Sequence, residues 1–410
     1  MKIALLGYGK EGQAAEKYFK SHFENPEIDI FENFTYEEIS KRDYSSYDII
    51  LRSPSVPPLH LPNESSLTRY FFDHCPCPII GVTATKGKGT TCSFIKSLLD
   101  AHGANAYLVG NIGTPAIEVL DQLTANSIVV YEMSSFQLWD LEKSPHISVI
   151  GHLEPDHLNV HKNYDDYLSA KSNICRFQTE NDYCIYYQKN PESVKLAKNS
   201  KAKLIPYPFD IPASVKHSIT LPGIHNQENA IAAISAVASY LNISPEEYLR
   251  KYQREIEQGL SSFHGLPHRL EYLRELNKVK YYDDNFATNP SSTRVAIQSF
   301  PNHAITIIIG GRDKTNYEDL PELYEILKAK QIKNIVLMGE SGHELAQRYP
   351  DDTRFAIVES LQEAITTAKK LAETEQNSIL LMSPAAASFD MFENVYDRGA
   401  QFKNLVASLS

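Results

Sequence analysis

The stretch PIIGVTATKGKGTTCSF, residues 78–94, decides the fold of the middle of this chain. An apolar run leads into a turn rich in Gly and Thr, and a helical pattern follows. In such a strand–turn–helix unit, the backbone N–H groups of the turn and the helix N-terminus point at one place and attract a phosphate. We therefore predict a phosphate loop in which Gly87 allows the turn and Lys88 meets the outer phosphates of a nucleotide.

The match to the phosphate-loop pattern G-x-x-x-x-G-K-[ST] is imperfect. Its leading glycine is displaced by one residue, to Gly81, and Gly89 stands where a magnesium-binding Ser or Thr belongs. Thr90 and Thr91 are nearby substitutes. Because a short turn of this composition is also common on protein surfaces, the rest of the chain has to support the nucleotide interpretation.

Length and composition set the class of protein. A chain of 410 residues is too long for one hydrophobic core, so we expect two or three domains. With 42% hydrophobic and 22% charged residues, the composition is that of a soluble globular protein. The net charge of −11, with no basic cluster, argues against binding to the backbone of a nucleic acid.

The sequence also bears on the cellular compartment. Apolar runs all fall short of the roughly 20 residues that span a bilayer, so no membrane association is expected. The first residues, MKIALLGYGKEG, read as a strand and a turn, not as a signal peptide. The five cysteines are scattered and show no zinc-binding spacing. We expect a reduced, cytoplasmic protein.

The N-terminal part carries a dinucleotide-type motif. A strand at residues 2–6 leads into GYGKEG, residues 7–12, and a helical pattern follows, which is the proper context for G-x-G-x-x-G. Glu32 ends the next strand, about 20 residues on, where an acid that binds a ribose belongs. Ser53 opens a proline-stiffened loop after a third strand. Two interpretations stay open: a nicotinamide cofactor site, or glycines that serve only tight helix–strand packing.

Two strand ends beyond the phosphate loop carry polar side chains. Asn111 lies in the turn GNIGTP at 110–115, where it either contacts a ligand or simply forms the turn. Glu132 follows a buried-strand pattern. An acid at that end of a strand, near a phosphate loop, is placed to hold magnesium. A solvated strand end is the alternative.

A second group of ligand-type residues follows the next strand. The segment at 152–161, HLEPDHLNVH, holds two acids and three histidines, His157 among them. These residue types indicate a metal or an acid–base site, and zinc is the first metal that they suggest. Lys171 lies on a predicted helix, and its spacing alone predicts no function. Asn229 shares a helix turn with Asn226, which suits contact with a base edge or ordinary helix capping.

The C-terminal part, from a boundary near residues 262–266, alternates strands and helices. This pattern predicts another parallel α/β domain. Its turns carry the polar motifs GLPHRLE at 265–271, DDNFATNP at 283–290, GGRDK at 310–314 and SPAAASFDMF at 383–392.

Taken in order along the whole chain, these motifs resemble the Mur ligases of peptidoglycan synthesis. The motifs GLPHRLE, ATNP and SPAAASFDMF are most like the branch that joins D-glutamate to UDP-N-acetylmuramoyl-L-alanine. The resemblance implies three α/β domains. We expect a Rossmann-like UDP-substrate domain at 1–77, a P-loop ATPase-like, ATP-binding domain with a parallel sheet at 78–263, and a Rossmann-like amino-acid domain at 264–410.

The resemblance also implies residue roles. Gly7, Gly9 and Gly12 would cradle a uridine diphosphate, not a nicotinamide cofactor, and Glu32 and Ser53 would belong to the same substrate site. Lys171 would be carbamylated and would support a magnesium ion together with His157. The implied ATP and magnesium residues are Gly87, Lys88, Thr90, Thr91, Glu132, Asn229, Arg269 and Asp284. Asn111 and His157 would lie at the reacting centre, and the implied amino-acid ligands are Thr288, Lys314 and Ser388.

Some residues depart from the family pattern. Ala84, Lys86 and Gly89 replace a Gly, an Asn and a hydroxyl residue of the phosphate loop. Phe286 stands where the family usually has Lys, and Val395 where a Phe often packs on the substrate. These departures leave two alternatives, a related ligase with another amino acid and a catalytically weakened paralogue. A nicotinamide oxidoreductase is a third, argued only from GYGKEG and Glu32, and the second phosphate loop weighs against it. In each case a monomer is expected.

Overall fold

The computed structural model describes residues 1–313 and 315–410. The described chain is α/β and forms two compact units. The first unit contains residues 1–220 and 225–263, and the second contains residues 221–224 and 264–410. Among the described helices, none combines the length and the apolar character needed to cross a bilayer.

The N-terminal part of the first unit is a parallel sheet with the strand order β2-β1-β3-β4. Its strands are β1 (Lys2–Leu6), β2 (Glu27–Phe31), β3 (Ile49–Arg52) and β4 (Glu64–Ser66). Its helices are α1 (Lys10–His22), α2 (Tyr36–Ser40) and α3 (Leu67–His74). Strand β1 is almost wholly buried, which explains its apolar run.

The rest of the first unit contains a second parallel sheet, in the order β10-β9-β8-β5-β7-β6. Its strands are β5 (Ile79–Thr83), β6 (Asn105–Gly110), β7 (Ser127–Glu132), β8 (Ile147–Ile150), β9 (Tyr183–Tyr187) and β10 (Lys203–Tyr207). Its helices are α4 (Lys88–Ala101), α5 (Ala116–Val119), α6 (Ser135–Leu138), α7 (Tyr164–Arg176), α8 (Pro191–Ala197), α9 (Ala213–His217), α10 (Ile224–Tyr240), α11 (Pro245–Lys251) and α12 (Gln253–Ser262). The buried central strands β5, β7 and β8 end at one edge of the sheet, where ligands bind in folds of this kind.

The second unit has a sheet in the order β11-β12-β16-β13-β14-β15 among its described residues. The strands are β11 (Glu271–Leu276), β12 (Val279–Asp283), β13 (Ala304–Ile309), β14 (Ile332–Leu337), β15 (Phe355–Ile357) and β16 (Ser378–Met382). The helices are α13 (Pro290–Gln298), α14 (Leu320–Leu327), α15 (Gly339–Arg348), α16 (Leu361–Ala372) and α17 (Val395–Ser408). Apolar residues of β13, β14 and β16 form the core.

The α/β fold class is confirmed, but the prediction that the third sheet is wholly parallel is wrong at one edge. Strand β11 pairs antiparallel with β12. The two strands are joined by Asn277 and Lys278, both with positive φ, which is the geometry of a tight hairpin turn. The sequence did not predict this hairpin because its turn has Lys where Gly usually stands, and because no residue of β11 is fully buried.

Candidate active site

The predicted phosphate loop lies between β5 and α4. Gly87 is the residue before the helix and has a φ of 84°, in the left-handed region that favours glycine. A Cβ built at this position would lie 2.8 Å from Oδ1 of Asn229. The structure therefore brings Asn229, from α10, against the loop that the sequence had marked 140 residues earlier.

Lys88 is folded over the loop that precedes it. Its Nζ donates hydrogen bonds to the carbonyl oxygens of Ala84, at 2.9 Å, and Thr85, at 3.1 Å. The hydroxyl of Thr91 donates to the carbonyl oxygen of Gly87 at 3.0 Å, whereas Thr90, beside it, is partly exposed. Lys88 is thus the first residue of a 14-residue helix, and its ammonium group lies against the loop that precedes this helix.

Lys86, one of the departures from the family pattern, forms an ion pair with Glu154. Their Nζ and Oε1 atoms are 3.0 Å apart, and both side chains are well exposed. The loop is also attached to this segment through Thr85, whose hydroxyl donates to the carbonyl oxygen of Glu154 at 3.1 Å. Lys86 therefore faces a carboxylate in this structure.

Glu132 and Asn111 lie together at the ends of neighbouring strands β7 and β6. Glu132 is 4% exposed, and its Oε1 accepts a long hydrogen bond, 3.5 Å, from Nδ2 of Asn111. The backbone N–H of Asn111 also donates to the carbonyl oxygen of Glu132, at 3.2 Å. Because β7 pairs with β5, this carboxylate stands at the same sheet edge as the phosphate loop.

Lys171, to which spacing gave no function, is 1% exposed and lies under the phosphate loop. Its Nζ donates to the hydroxyl of Thr83 and to the carbonyl oxygen of Ala84, both at 3.0 Å. Burial, aided by the charge of Lys88, lowers the pKa of Lys171 well below its usual range.

The five acids and histidines at 152–161 do not form a single metal site. Among the described residues, no three of them bring ligand atoms within 4.8 Å of one another, so the suggestion of zinc is not supported. His161 is buried and contacts Ser135 and Asp166, at 2.9 and 3.1 Å. His157 is about half exposed, has a positive φ of 54°, and packs against Phe136 at 5.0 Å between ring centroids. Burial of its ring lowers the pKa of His157.

The glycine motif of α1 forms a tight turn. A Cβ at Gly7, where φ is 85°, would lie 2.1 Å from Oγ of Ser53. A Cβ at Gly12 would lie 2.3 Å from the carbonyl oxygen of Gly7. Gly9 has no such neighbour and precedes the first residue of α1, and Glu32 is exposed after β2. Ser53 is thus beside the turn, as the substrate-site prediction requires, and the two glycines also serve close packing.

Within the second unit, Asp284 is a buried acid at the end of β12. It accepts hydrogen bonds from the hydroxyl of Ser383, at 2.8 Å, and from the backbone of Leu270, at 3.2 Å. Burial raises the pKa of Asp284 to about 7, although these two hydrogen bonds oppose the shift. Arg269 holds its guanidinium 5.7 Å from the ring centroid of Phe286.

Two of the three predicted amino-acid residues, Thr288 and Ser388, lie in loops of the second unit. Ser388 is 1% exposed, and its hydroxyl has no hydrogen-bond partner among the described residues. Thr288 lines a small cavity of about 20 Å³ together with Arg312 and Ala386. Lys314 lies outside the described residues.

Two buried arginines were missed by the sequence analysis. Arg52, in the first unit, pairs with Glu64 at 2.7 Å and also with Asp140. Arg398, in the second unit, donates to the side chain of Asn285 at 2.6 Å and to the carbonyl oxygens of Asn285, Ala386 and Ala387 at 3.1 Å. Neither arginine lies in a segment with a pattern that predicts its burial. Their partners are remote in sequence or are backbone atoms, so no local signal identified the two residues.

Comparison with known proteins identifies the family. Residues 82–237 match the family model of the Mur ligase middle domain, and residues 268–385 match that of the Mur ligase, glutamate ligase domain. The UDP-N-acetylmuramoylalanine–D-glutamate ligase of Clostridium botulinum (strain Okra / Type B1) is 32% identical, and the alignment covers 100% of this chain and 97% of that protein.

Solved structures show the same fold. The UDP-N-acetylmuramate-alanine ligase of Thermotoga maritima superposes with a TM-score of 0.62 at 17% identity, over 100% of this chain and 99% of that one. A MurF ligase from the same organism, solved in complex with ADP, gives 0.58 at 16% identity, over 88% and 89% of the two chains. With two family models matched and a relative aligned over its full length at 32% identity, this chain belongs to the Mur ligase family.

Proposed function

We propose that this chain is an ATP-dependent ligase that joins D-glutamate to UDP-N-acetylmuramoyl-L-alanine. The proposal is supported by the full-length relatives that carry this activity in their names. The observation that carries it is the sheet edge of the first unit, where Lys88 follows β5 and Glu132 ends the adjacent β7. A fixed cation and a buried carboxylate at one strand edge are what phosphoryl transfer from ATP requires.

The reaction would run in two steps. An oxygen of the substrate's terminal carboxylate attacks the γ-phosphorus of ATP, the bond to the β-phosphate oxygen breaks, and an acyl phosphate and ADP result. The amino group of D-glutamate then attacks the acyl carbon, loses a proton, and displaces inorganic phosphate to leave an amide. Lys88 and the N–H groups at the start of α4 would hold the transferred phosphoryl group, and Asn111 would orient the acyl group.

We propose Mg²⁺ as the metal, held by Glu132, His157 and carbamylated Lys171. The oxygen-rich donor set suits Mg²⁺, and the lowered pKa of His157 keeps its ring available as a neutral ligand. When bound, the ion would neutralise the converging phosphate and carboxylate charges.

The carbamylation of Lys171 is supported by the lowered pKa of its amine, because the unprotonated form is the one that reacts with CO₂. A bond would form between Nζ and the carbon of CO₂, and Nζ would release one proton. The product is a carboxylate in place of an amine. The hydroxyl of Thr83 and the carbonyl oxygen of Ala84, both 3.0 Å from Nζ, hold the side chain under the phosphate loop where this group is needed.

The other residue roles are proposals of the same kind. Gly7, Gly9, Gly12, Glu32 and Ser53 would bind the UDP group. Gly87, Thr90, Thr91, Asn229, Arg269 and Asp284 would bind ATP, and Thr288, Lys314 and Ser388 the amino acid. The corresponding domains would be 1–77, 78–263 and 264–410. We further propose a cytoplasmic monomer that supplies precursors for the cell wall, and thereby for cell shape and division.

Two departures from the family pattern, both in the second unit, favour a second candidate, a related ligase with another amino acid. Phe286 packs against Tyr396, with ring centroids 5.3 Å apart, so this position offers an aromatic ring instead of a cation. Val395 begins α17 next to this contact. A catalytically weakened paralogue is the third candidate, because Gly89 removes a hydroxyl from the phosphate loop.

The deciding experiment measures phosphate release from ATP in the presence of Mg²⁺. We expect release only when UDP-N-acetylmuramoyl-L-alanine and D-glutamate are both present, and its loss in Lys88→Ala. Lys96→Ala is the matched control, because Lys96 lies on the same helix and pairs only with Asp100 among the ion pairs described. Release with another amino acid but not D-glutamate would favour the second candidate, and ATP binding without turnover would favour the third.

A further inference from the structure

A fully buried arginine connects the two sheets of the first unit. Arg52 is the last residue of β3 and is 0% exposed. Its Nη1 donates to the carbonyl oxygen of Val56 and its Nε donates to Oε1 of Glu64, both at 2.7 Å. Its Nη2 forms an ion pair with Oδ2 of Asp140, which lies in the segment that follows β7 of the second sheet. A buried guanidinium must be balanced by partners of this kind, so the four groups hold one another in place.

The ion pair between Arg52 and Glu64 fixes the loop that connects β3 with β4, residues 53–63. The side chain of Glu64 is 5% exposed, and its carboxylate also accepts hydrogen bonds from the backbone N–H groups of Leu59 and Leu61, at 3.0 to 3.1 Å. Arg52 therefore holds the first half of the loop and Glu64 holds the second half. One ion pair determines the shape of both halves.

The first half of the loop rests on the glycine turn that is proposed to bind the UDP group. The backbone N–H of Ser53 donates to the carbonyl oxygen of Leu6 at 2.9 Å, and the backbone N–H of Val56 donates to the carbonyl oxygen of Ser53 at 3.0 Å. A Cβ built at Gly7 would lie 2.1 Å from Oγ of Ser53 and 3.2 Å from Cγ2 of Val56. The position of Val56, which Arg52 fixes, therefore sets the space beside the glycine turn.

Asp140 connects this loop with the helix that carries Lys171. It lies two residues after α6, whose last residue, Leu138, accepts a hydrogen bond at its carbonyl oxygen from Nδ2 of Asn173, at 2.9 Å. Asn173 is a residue of α7, two positions after Lys171. Among the described residues, Oδ1 of Asp140 has no hydrogen-bond partner, and its Oδ2 pairs with Arg52. The carboxylate therefore depends on Arg52, and it offers the loop a fixed point beside α7.

We propose that Arg52 and Asp140 are positioning residues, whose ion pair holds the loop at residues 53–63 in the conformation that binds the UDP substrate. The inference rests on the proposed function, which places the UDP group at Gly7 and Ser53. Arg52 is enclosed by its partners, so it acts through the loop and not by contact with the substrate. Without the ion pair, the loop has to be ordered each time that the substrate binds, and ordering the backbone of one residue lowers the affinity about tenfold.

The test is the steady-state kinetics of Asp140→Ala with UDP-N-acetylmuramoyl-L-alanine, ATP, Mg²⁺ and D-glutamate. This variant keeps the ion pair between Arg52 and Glu64, so the loop remains attached at one end. We expect the KM for the UDP substrate to rise about tenfold, because the loop is no longer preorganised. The kcat and the KM for ATP are expected to stay at their wild-type values, since the bound substrate restores the loop and the phosphate loop keeps its own contacts.

Two further variants separate positioning from a general loss of stability. Asp140→Asn keeps an oxygen that accepts a hydrogen bond from Arg52 but loses the charge, so its KM for the UDP substrate should lie between those of the wild type and Asp140→Ala. Glu142→Ala is the matched control, because Glu142 pairs with Arg69 of α3 at 2.8 Å and so also joins the two parts of the unit. Since this pair is exposed, its loss should leave every KM unchanged.

An unchanged KM for the UDP substrate in Asp140→Ala overturns the inference and leaves the proposed function in place, as do equal increases in the KM values for the UDP substrate and ATP. An increase in Glu142→Ala that equals the increase in Asp140→Ala also overturns it, because any contact between these parts would then have the same effect. If Asp140→Ala does not fold, the KM of Asp140→Asn still has to exceed that of the wild type. If the wild type fails to consume the UDP substrate with any amino acid, the proposed function is overturned together with the inference.

Discussion

The Nζ atom of Lys171 lies 3.0 Å from the hydroxyl oxygen of Thr83, the last residue of the strand that enters the phosphate loop. Lys171 is 1% exposed, burial lowers its pKa well below the usual range, and its hydrogen bonds hold the amine at a fixed point under the loop. This contact connects helix α7 with the proposed nucleotide site, although 88 residues separate the two side chains.

Replacing Lys171 by Met removes the amine and keeps most of the side-chain volume. We expect ligase activity to fall about 10- to 100-fold, because a group that supports the metal is lost. The intact wild-type protein kept under CO₂ should gain the mass of one CO₂ in native mass spectrometry, and Lys171→Met should not. Lys195→Met, an exposed lysine on α8, is the control. Equal activity of the two variants would contradict the role of Lys171.

Gly87→Ala tests the close approach of the phosphate loop to Asn229. A left-handed φ costs a residue with a Cβ about 1–2 kcal/mol, and the added methyl would also meet Oδ1 of Asn229 at 2.8 Å. Gly103→Ala is the matched control, because Gly103 also has a positive φ, 69°, but no atom within 4 Å of the added Cβ. Both variants should melt at lower temperature, and only Gly87→Ala should raise the KM for ATP. An unchanged KM in Gly87→Ala would show that the loop tolerates a side chain there.

The raised pKa of Asp284 predicts that the stability of the second unit depends on pH. An Asp carboxyl of an unfolded chain ionises near pH 4, whereas burial raises the pKa of Asp284 to about 7 in the fold. Between these values the folded protein keeps a proton that the unfolded chain releases. The free energy of unfolding therefore falls as the pH rises, by up to about 4 kcal/mol for this group alone.

Asp284→Asn cannot titrate, so it should lack this loss of stability between about pH 4 and about pH 7. The measurement is the melting temperature of the ligand-free protein across this range, compared with the wild type. Asp351→Asn, which changes an exposed acid of the same unit, should follow the wild type. A parallel course of the Asp284→Asn and wild-type curves would contradict the raised pKa of Asp284.

Arg398→Lys tests how the loop at residues 386–388, which contains the proposed amino-acid ligand Ser388, is held. The guanidinium of Arg398 donates hydrogen bonds to the side chain of Asn285 and to the carbonyl oxygens of Ala386 and Ala387 at the same time. An ammonium group cannot reach all three acceptors. We expect a loss of about 2–4 kcal/mol in the free energy of unfolding and a higher KM for D-glutamate, because Ser388 follows directly.

The matched control for Arg398→Lys is Arg294→Lys in the same unit. The side chain of Arg294 is well exposed and pairs with the exposed Glu322 at 2.6 Å, so its replacement should cost less than about 1 kcal/mol and leave the KM unchanged. If Arg398→Lys loses stability without any change in the KM for D-glutamate, the arginine holds the fold only and does not position the loop.

The sequence predicted most of the fold because its local patterns agree with the tertiary structure. The buried strands β5 and β7 are apolar runs, and the turns after β1 and β5 carry glycines where the backbone needs them. Strand β11 was not predicted because none of its residues is fully buried and because the Asn277–Lys278 turn lacks the usual glycine.

The site was predictable only where one segment carries its own signal. Lys88 and Glu132 follow strands in recognisable positions, but Lys171 gave no signal until the family resemblance named it. The hydrogen bond between Glu11 and Gln137 joins residues 126 positions apart, and no pattern within either segment predicts it. Such contacts depend on how the two sheets of the first unit pack, which no local pattern encodes.

The most direct test of the ligase mechanism follows one oxygen atom. UDP-N-acetylmuramoyl-L-alanine is prepared with both terminal carboxylate oxygens as ¹⁸O and is incubated with the protein, ATP, Mg²⁺ and D-glutamate. An acyl-phosphate mechanism predicts that each inorganic phosphate released carries one ¹⁸O atom and that the product gains one glutamyl residue. Phosphate that is free of ¹⁸O would show that water, and not the substrate carboxylate, attacks ATP, and would contradict the proposed function.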